Sequence, residues 1–228
     1  MKRAVWIVAA IFLFVGCQKK HPVKVYANPA MQPDALEKVA VFHFSSMLHQ
    51  GEDPNGEAPK MLEKFFMPEL DKRDDYNFIA PSSVAYAIQS LNLEEKAEKF
   101  LKAWPTEKVP DMEILSALAE RLACDAFLIP VVELWQKDEA DLQENASSAT
   151  YVGATITLLN ASNGTVLFEA TDENYAESAR TETSDRTVIR GGSGGVKSDF
   201  GDKVYKAPPF EGVVQRVVTA LVMSIPAR

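Results

Sequence analysis

The sequence predicts an α/β fold, a mixed sheet with helices packed on it. Three observations predict it. Lys38–Ser45 is a short, nearly continuous apolar run, as expected of a strand buried on both faces. Between that run and a second one, Asp125–Trp135, apolar residues recur at spacings of three and four, the helical period. Downstream, two strand patterns flank Asn163-Gly164, a strong hairpin signal.

Taken in order, Gln18–Glu37 is polar and holds Pro22, Pro29 and Pro33, so it is expected to be an extended tether. The strand Lys38–Ser45 follows, then a loop, Ser46–Gly56, with Gly51, Pro54 and Gly56 as breakers. Pro59 fits the first turn of a helix whose apolar face is Met61, Leu62, Phe65 and Phe66, and Pro68 is expected to end or kink it. Tyr76–Ala80 reads as a second strand. Pro81-Ser82-Ser83 opens a helix presenting Val84, Ala87, Ile88 and Leu91. A charged helix from Leu93 to Ala103 is expected to stop at Trp104-Pro105. Asp111–Ala123 is a further helix, presenting Ile114, Leu115, Leu118 and Leu122.

Asp125–Trp135 reads as a central strand, in which Pro130 requires a bulge or a free edge. The acidic stretch Lys137–Asn145 is expected to be a loop. Thr150–Asn160 and Thr165–Tyr175 form the hairpin around Ala161-Ser162-Asn163-Gly164; the alternation of Thr155 and Thr157 with Ile156 and Leu158 predicts one partly wet face. Residues 176–206 are polar, glycine-rich and without periodicity, and are expected to be a mobile insertion. After Pro208-Pro209, Phe210, Val213, Val214, Val217, Val218, Leu221, Val222 and Ile225 form the stripe of a closing helix.

The amino terminus predicts location. Lys2 and Arg3 precede an uncharged apolar run from Ala4 to Val15, then Gly16, Cys17 and an abrupt polar turn at Gln18-Lys19-Lys20. A basic head, a short apolar stretch and a small residue at the break are the pattern of a secretory signal. The run is shorter than the roughly 20 residues a helix needs to span a bilayer. Ending on Gly-Cys, it resembles a bacterial lipoprotein signal, although Phe14 stands where such signals usually carry leucine. That resemblance implies removal of residues 1–16, lipidation of Cys17 as the first mature residue and attachment to the membrane through that lipid. Residues 17–37 are then the tether and 38–228 the domain. Gln18, rather than aspartate, implies sorting to the outer membrane, with the domain facing the periplasm.

The chain has 228 residues, 46% hydrophobic and 25% charged, enough for one domain with a real core. Its formal net charge is −8, more negative still without Lys2 and Arg3. So acidic a chain has no electrostatic footprint for nucleic acid, and a protein partner is the natural expectation. Of two cysteines the signal claims Cys17, so Cys124 has no intramolecular disulfide partner and reads as a small buried hydrophobe.

Candidate chemistry is sparse. His43, His49, Glu52 and Asp53 lie just after the first strand, where α/β sheets often bind ligands, and offer nitrogen and carboxylate donors suited to zinc. They lack the spacing of a ligand set on a helix, and a solvated loop is the expectation, with no metal and no cofactor. Ser45 and Ser46 beside His43 and Asp53 contain no nucleophile elbow, so no catalytic residues are assigned and no enzyme is expected. Gly191–Ser198 has Val196 where a phosphate loop needs glycine before its lysine. Asn145, Asn160 and Asn163 begin glycosylation sequons that say nothing in a bacterial lipoprotein. The acidic cluster Asp138, Glu139, Asp141 and Glu144 is read as solvating its loop.

Several stretches together carry a family resemblance: Val39–Phe44, Tyr76–Pro81, Leu118–Ile129 with its Asp125-Ala126 pair, Thr155–Phe168 with its Asn163-Gly164 turn, and Pro208-Pro209-Phe210 leading to Ile225-Pro226. They resemble the superfamily holding the curli-secretion lipoprotein, the lipoprotein activators of penicillin-binding proteins and the amino-terminal domain of the Tol translocation protein. The carboxy-terminal stretch is similar to lipoproteins with no assigned activity. The family usually has Ala-Asp where this chain has Asp125-Ala126, and threonine where it has Asn163. The resemblance implies a non-enzymatic accessory, or adaptor, that binds another envelope protein. The alternative it offers is a subunit of an oligomeric export channel like the curli-secretion lipoprotein. For that, residues 137–149 and 176–206 are too polar to supply lipid-facing strands of about 9–11 residues.

Overall fold

The computed structural model describes residues 22–49, 51–139, 147–178 and 206–228. Cys17 and the signal, Asn145, Asp141, Glu144 and Gly191–Ser198 lie outside them. Among the described residues a mixed sheet of seven strands runs in the order β4-β2-β5-β6-β7-β1, with β3 continuing alongside β5. Its strands are β1 (Lys24–Ala27), β2 (Lys38–Val41), β3 (Ser45–Ser46), β4 (Asn77–Ile79), β5 (Ala126–Asp138), β6 (Ala149–Asn160) and β7 (Val166–Glu177). β2 pairs parallel with β4 and β5, and β3 pairs parallel with β5. The β5-β6-β7-β1 half is antiparallel. The described α-helices are α1 (Glu57–Leu70), α2 (Pro81–Ser90), α3 (Glu94–Glu107), α4 (Met112–Leu122) and α5 (Phe210–Ser224). This is the α/β architecture expected.

Each face of the sheet has its own core. On one, Leu62, Phe66 and Leu70 of α1 and the Val213–Val222 stripe of α5 cover Val39, Val41, Leu128, Val152, Ile156 and Phe168. On the other, Val84 of α2, Phe100 and Trp104 of α3 and Ile114, Leu115 and Leu118 of α4 cover Ala40, Phe127, Ile129 and Leu159. Alternating residues of β5 therefore feed different cores, which is why its sequence is apolar throughout. The first face is locked by the Trp135 and Phe210 rings, stacked at 3.7 Å and 7°.

Several expectations are corrected. The supposed tether is partly sheet: Lys24–Ala27 pair antiparallel with β7, and Leu36 is buried in the first core. Four residues between prolines give too short a pattern to read, and the ladder on β7 decides their conformation. α1 runs past Pro68 to Leu70, and α3 past Pro105 to Glu107. Each proline lies two residues before its helix ends, so the one i→i−4 bond it removes falls at the end of the ladder and little helix follows to be kinked. β5 extends through Asp138 and β7 through Glu177, into stretches read as loop and insertion. The hairpin face read as partly wet is closed: Thr155 and Thr157 are buried. Their hydroxyls bond to the Thr171 hydroxyl at 2.6 Å and the Glu169 carboxylate at 3.0 Å.

Pro130 is accommodated at a break in the ladder, not on a free edge. Phe42 N–H donates to the Leu128 carbonyl and Met47 N–H to that of Val132. Pro130 faces the same side between them, opposite the break that separates β2 from β3. Pro130 has no N–H to offer there, and Ser45 Oγ donates to the Pro130 carbonyl at 3.4 Å.

Candidate functional site

The helices of the second face stop short of one end of the antiparallel strands. There the sheet itself lines a groove of about 410 Å³, with Pro22, Lys24, Leu134, Tyr151, Thr171, Glu173, Asn174 and Tyr175 on its walls. No described helix contributes to it. Register explains the lining. Leu134, Gly153 and Glu173 stand side by side on β5, β6 and β7, and Gln136, Tyr151 and Tyr175 form the next row.

Two local features make the depression. A bulge between Val132 and Leu134 inserts Glu133 and reverses the alternation of β5. Leu134 is thereby turned to the groove, and Trp135 to the opposite core, where it meets Phe210. Gly153 supplies the floor: a Cβ there would lie 3.0 Å from Leu134 Cβ and 3.1 Å from Glu173 Cγ. Any side chain at that position would fill the space between its neighbours.

The rim is aromatic. Tyr151 and Tyr175 stack at 5.7 Å and 27°, and Tyr175 is exposed. Burial pushes the Tyr151 phenol above its ordinary range, and the charges of Asp138 and Glu177 push the same way. It stays protonated, a donor and acceptor at the end of an apolar ring. The groove thus offers stacking surface, one cation in Lys24, one carboxylate in Glu173 and the Asn174 amide. That chemistry suits reversible binding of a partner carrying both apolar and polar groups.

Residues singled out in the sequence are spread elsewhere. His43 Nδ1 meets the Glu63 carboxylate on α1 at 2.8 Å, beside an open cleft of about 630 Å³. Glu52 accepts the His49 N–H at 2.9 Å, and Asp53 accepts the Glu57 and Ala58 N–H groups at 2.8 Å, capping α1. These carboxylates hold their own loop, and among the described residues no three metal-binding side chains converge. The Ser45 hydroxyl goes to Pro130, and Ser46 Oγ accepts the Leu48 N–H. Asn160 and Asn163 accept N–H groups within their turn. Cys124 is buried, and burial, with the Asp125 charge adding, pushes its thiol up to about 11. Asp125, half of the pair that carried the resemblance, is structural: its carboxylate accepts the N–H groups of Glu37 and Lys38, both at 2.9 Å. It pins the start of β2 to the start of β5.

The groove itself was not legible in the sequence. Its one local signal is Gly153 within a strand pattern, a mark of close approach. No helix among the described residues is long and apolar enough to cross a membrane.

No family model matches the sequence, and no curated protein matches it. Solved structures do. A PelC dodecamer from Paraburkholderia phytofirmans is 15% identical, covering 90% of this chain and 97% of that one, with a TM-score of 0.44. The lipoprotein GNA1162 from Neisseria meningitidis is 17% identical over 64% of this chain and 88% of its own, at 0.44. The LpoB C-terminal domain from Salmonella enterica is 10% identical over 61% and 83%, at 0.35.

Proposed function

We propose that this chain is a periplasm-facing lipoprotein of the outer membrane, anchored through Cys17, that acts as a non-enzymatic adaptor and binds another envelope protein through the tyrosine-rimmed groove. The observation that carries the reading is the placement of that groove. It is a sheet face left open by every described helix, lined by Pro22 and Lys24, the first part of the described chain. Seven residue steps separate Cys17 from Lys24, a reach of at most about 25 Å. A lipid on Cys17 holds the groove close to the membrane surface, within reach of the periplasmic parts of other envelope proteins. The signal pattern supports the anchor.

The test has two parts. Cys17→Ser should abolish incorporation of a fatty-acid analogue and release the chain from membranes; retention of an unlabelled variant would defeat the anchor. A photo-crosslinking amino acid at Tyr151, in cells, should capture one discrete envelope protein that the same probe at Tyr86 on α2, 65% exposed, does not. Capture of the same set of proteins from both positions would defeat the groove as the binding surface.

A further inference from the structure

We propose that the free edge of β1 pairs with β1 of a second copy of this chain, antiparallel about a two-fold axis, joining two sheets on the membrane. Hydrogen-bond direction carries the argument. Asn28 N–H donates to the Leu167 carbonyl at 2.8 Å, and Lys24, Val25, Tyr26 and Ala27 stand opposite Thr171, Ala170, Glu169 and Phe168. In an antiparallel ladder alternate residues turn their N–H and C=O to alternate sides. Lys24 and Tyr26 therefore bond to β7, while Val25 and Ala27 direct theirs off the sheet.

This edge is short, carries Lys24 and is flanked by Pro22 and Pro29, so pairing along it is limited to a few residues. All four residues are exposed, Val25 and Tyr26 at 52% each, and among the described residues no strand lies beyond β1. Pro29, the next outward position, has no N–H, and Pro22 precedes Val23. The prolines limit the ladder's length without closing it.

The edge is self-complementary. Placing Val25 against the partner's Val25, on the two-fold axis, sets Ala27 against the partner's Val23 and uses every outward group between the two prolines. On the groove face it sets Lys24 against the partner's Tyr26, an ammonium beside a phenol ring. For a chain of net charge −8 self-association is opposed by charge, and β1 is a segment with one lysine and no acidic residue. A ladder of about five residues covers well below the roughly 800 Å² per partner of a stable complex. Pairing thus depends on local concentration, and this step rests on the proposed anchor. In the paired arrangement the two Pro22 residues lie about 20 Å apart, so both leashes reach one membrane, and co-anchoring raises the effective concentration. The two tyrosine-rimmed grooves then share one continuous sheet face.

The test uses the full-length chain in its own membranes, with Val25→Cys as reporter. Opposed residues of a hydrogen-bonded antiparallel pair have Cα atoms about 5.5 Å apart, within disulfide reach, and buried Cys124 does not compete. Mild oxidation should give a homodimer band at least fivefold stronger than Tyr86→Cys gives. Adding Ala27→Pro, which removes an outward donor and leaves the β7 ladder intact, should reduce the band at least fivefold at unchanged melting temperature. Lys24→Glu, which leaves the backbone untouched, is the second variant and should reduce it too. Equal bands from Val25→Cys and Tyr86→Cys, a band indifferent to both edge variants, or crosslinking of Val25→Cys to a different protein would each overturn the proposal. Fatty-acid labelling of the same samples separates the two readings. A labelled chain without the band refutes the pairing alone; an unlabelled chain with the band refutes the anchor alone; neither signal refutes both.

Discussion

Arg73→Met should destabilise the domain by about 2–4 kcal/mol. Arg73 follows α1 and reaches the carboxy terminus of α5. Its guanidinium donates to the carbonyls of Val222 at 3.0 Å, Ile225 at 2.7 Å and Pro226 at 3.2 Å. It also holds the Asp75 carboxylate with two bonds, one of 2.8 Å from Nε. The Tyr76 hydroxyl donates to the same Pro226 carbonyl at 2.9 Å, and the guanidinium lies 5.3 Å from the Tyr76 ring centre. One cation thus serves as the C-terminal cap of α5, where carbonyls lack helical partners and the helix dipole favours positive charge. Bonds to a charged group contribute about 1.5–3 kcal/mol each. Their sum is an overestimate, because they share one group and the released carbonyls regain water. Side-chain exposures of 15% and 20% for Arg73 and Asp75 place the pair between a surface bridge and a buried one. Methionine keeps the stem volume and removes the charge and all donors. Urea unfolding followed by circular dichroism is the assay, with a melting-temperature decrease of roughly 4–16 °C as its thermal counterpart. Arg73→Met with Asp75→Asn should be less destabilising than the sum of the singles, since no carboxylate is left unpaired. A loss under about 1 kcal/mol, or strict additivity in the cycle, would refute this reasoning.

The Arg73 hydrogen bond holds the Asp75 carboxyl below its ordinary range, so the stabilisation is full above about pH 4 and is lost as pH falls through the lowered folded value. Asp75→Asn should therefore flatten the acid side of a urea-midpoint profile while leaving the contribution of Glu69, held low chiefly by the Lys72 hydrogen bond. Gly164 has φ +69° and an added Cβ would lie 2.7 Å from Met112 Sδ and 2.8 Å from Pro110 Cβ; Gly164→Ala should lose about 2–4 kcal/mol from strain and overlap. Gly212→Ala in α5, with nothing within 4 Å, should gain up to about 1 kcal/mol in the same urea titration.

Periodicity made much of the fold legible. The α5 stripe, the α4 face and the Asn163-Gly164 hairpin each carry a local pattern that their tertiary environment reinforces. What stayed hidden depends on distant partners. Lys24–Ala27 become a strand only because β7 offers an edge, and Pro68 and Pro105 stay helical where only two residues follow each before its helix ends. Asp125 reads as the first residue of an apolar strand, and its bonds to the Glu37 and Lys38 N–H groups show only once the start of β2 is brought beside it. The groove is hidden for the same reason: its shape comes from an extra residue at Glu133 and from Gly153 lying in register between two strands. The histidine-rich loop shows the converse, since donor types gathered in sequence are spent on holding a turn and on capping α1. Cys17, read from the signal pattern, lies outside the described residues.

Pro130 has a consequence for how the central strands find their alignment. A parallel ladder tolerates slippage by two residues, because such a shift keeps every side chain on its own face. Here a two-residue slip would move the imino nitrogen from the gap between β2 and β3 to a position facing a strand carbonyl, and strand an acceptor in the core. The proline works as an indexing pin, which the sheet accepts at one setting.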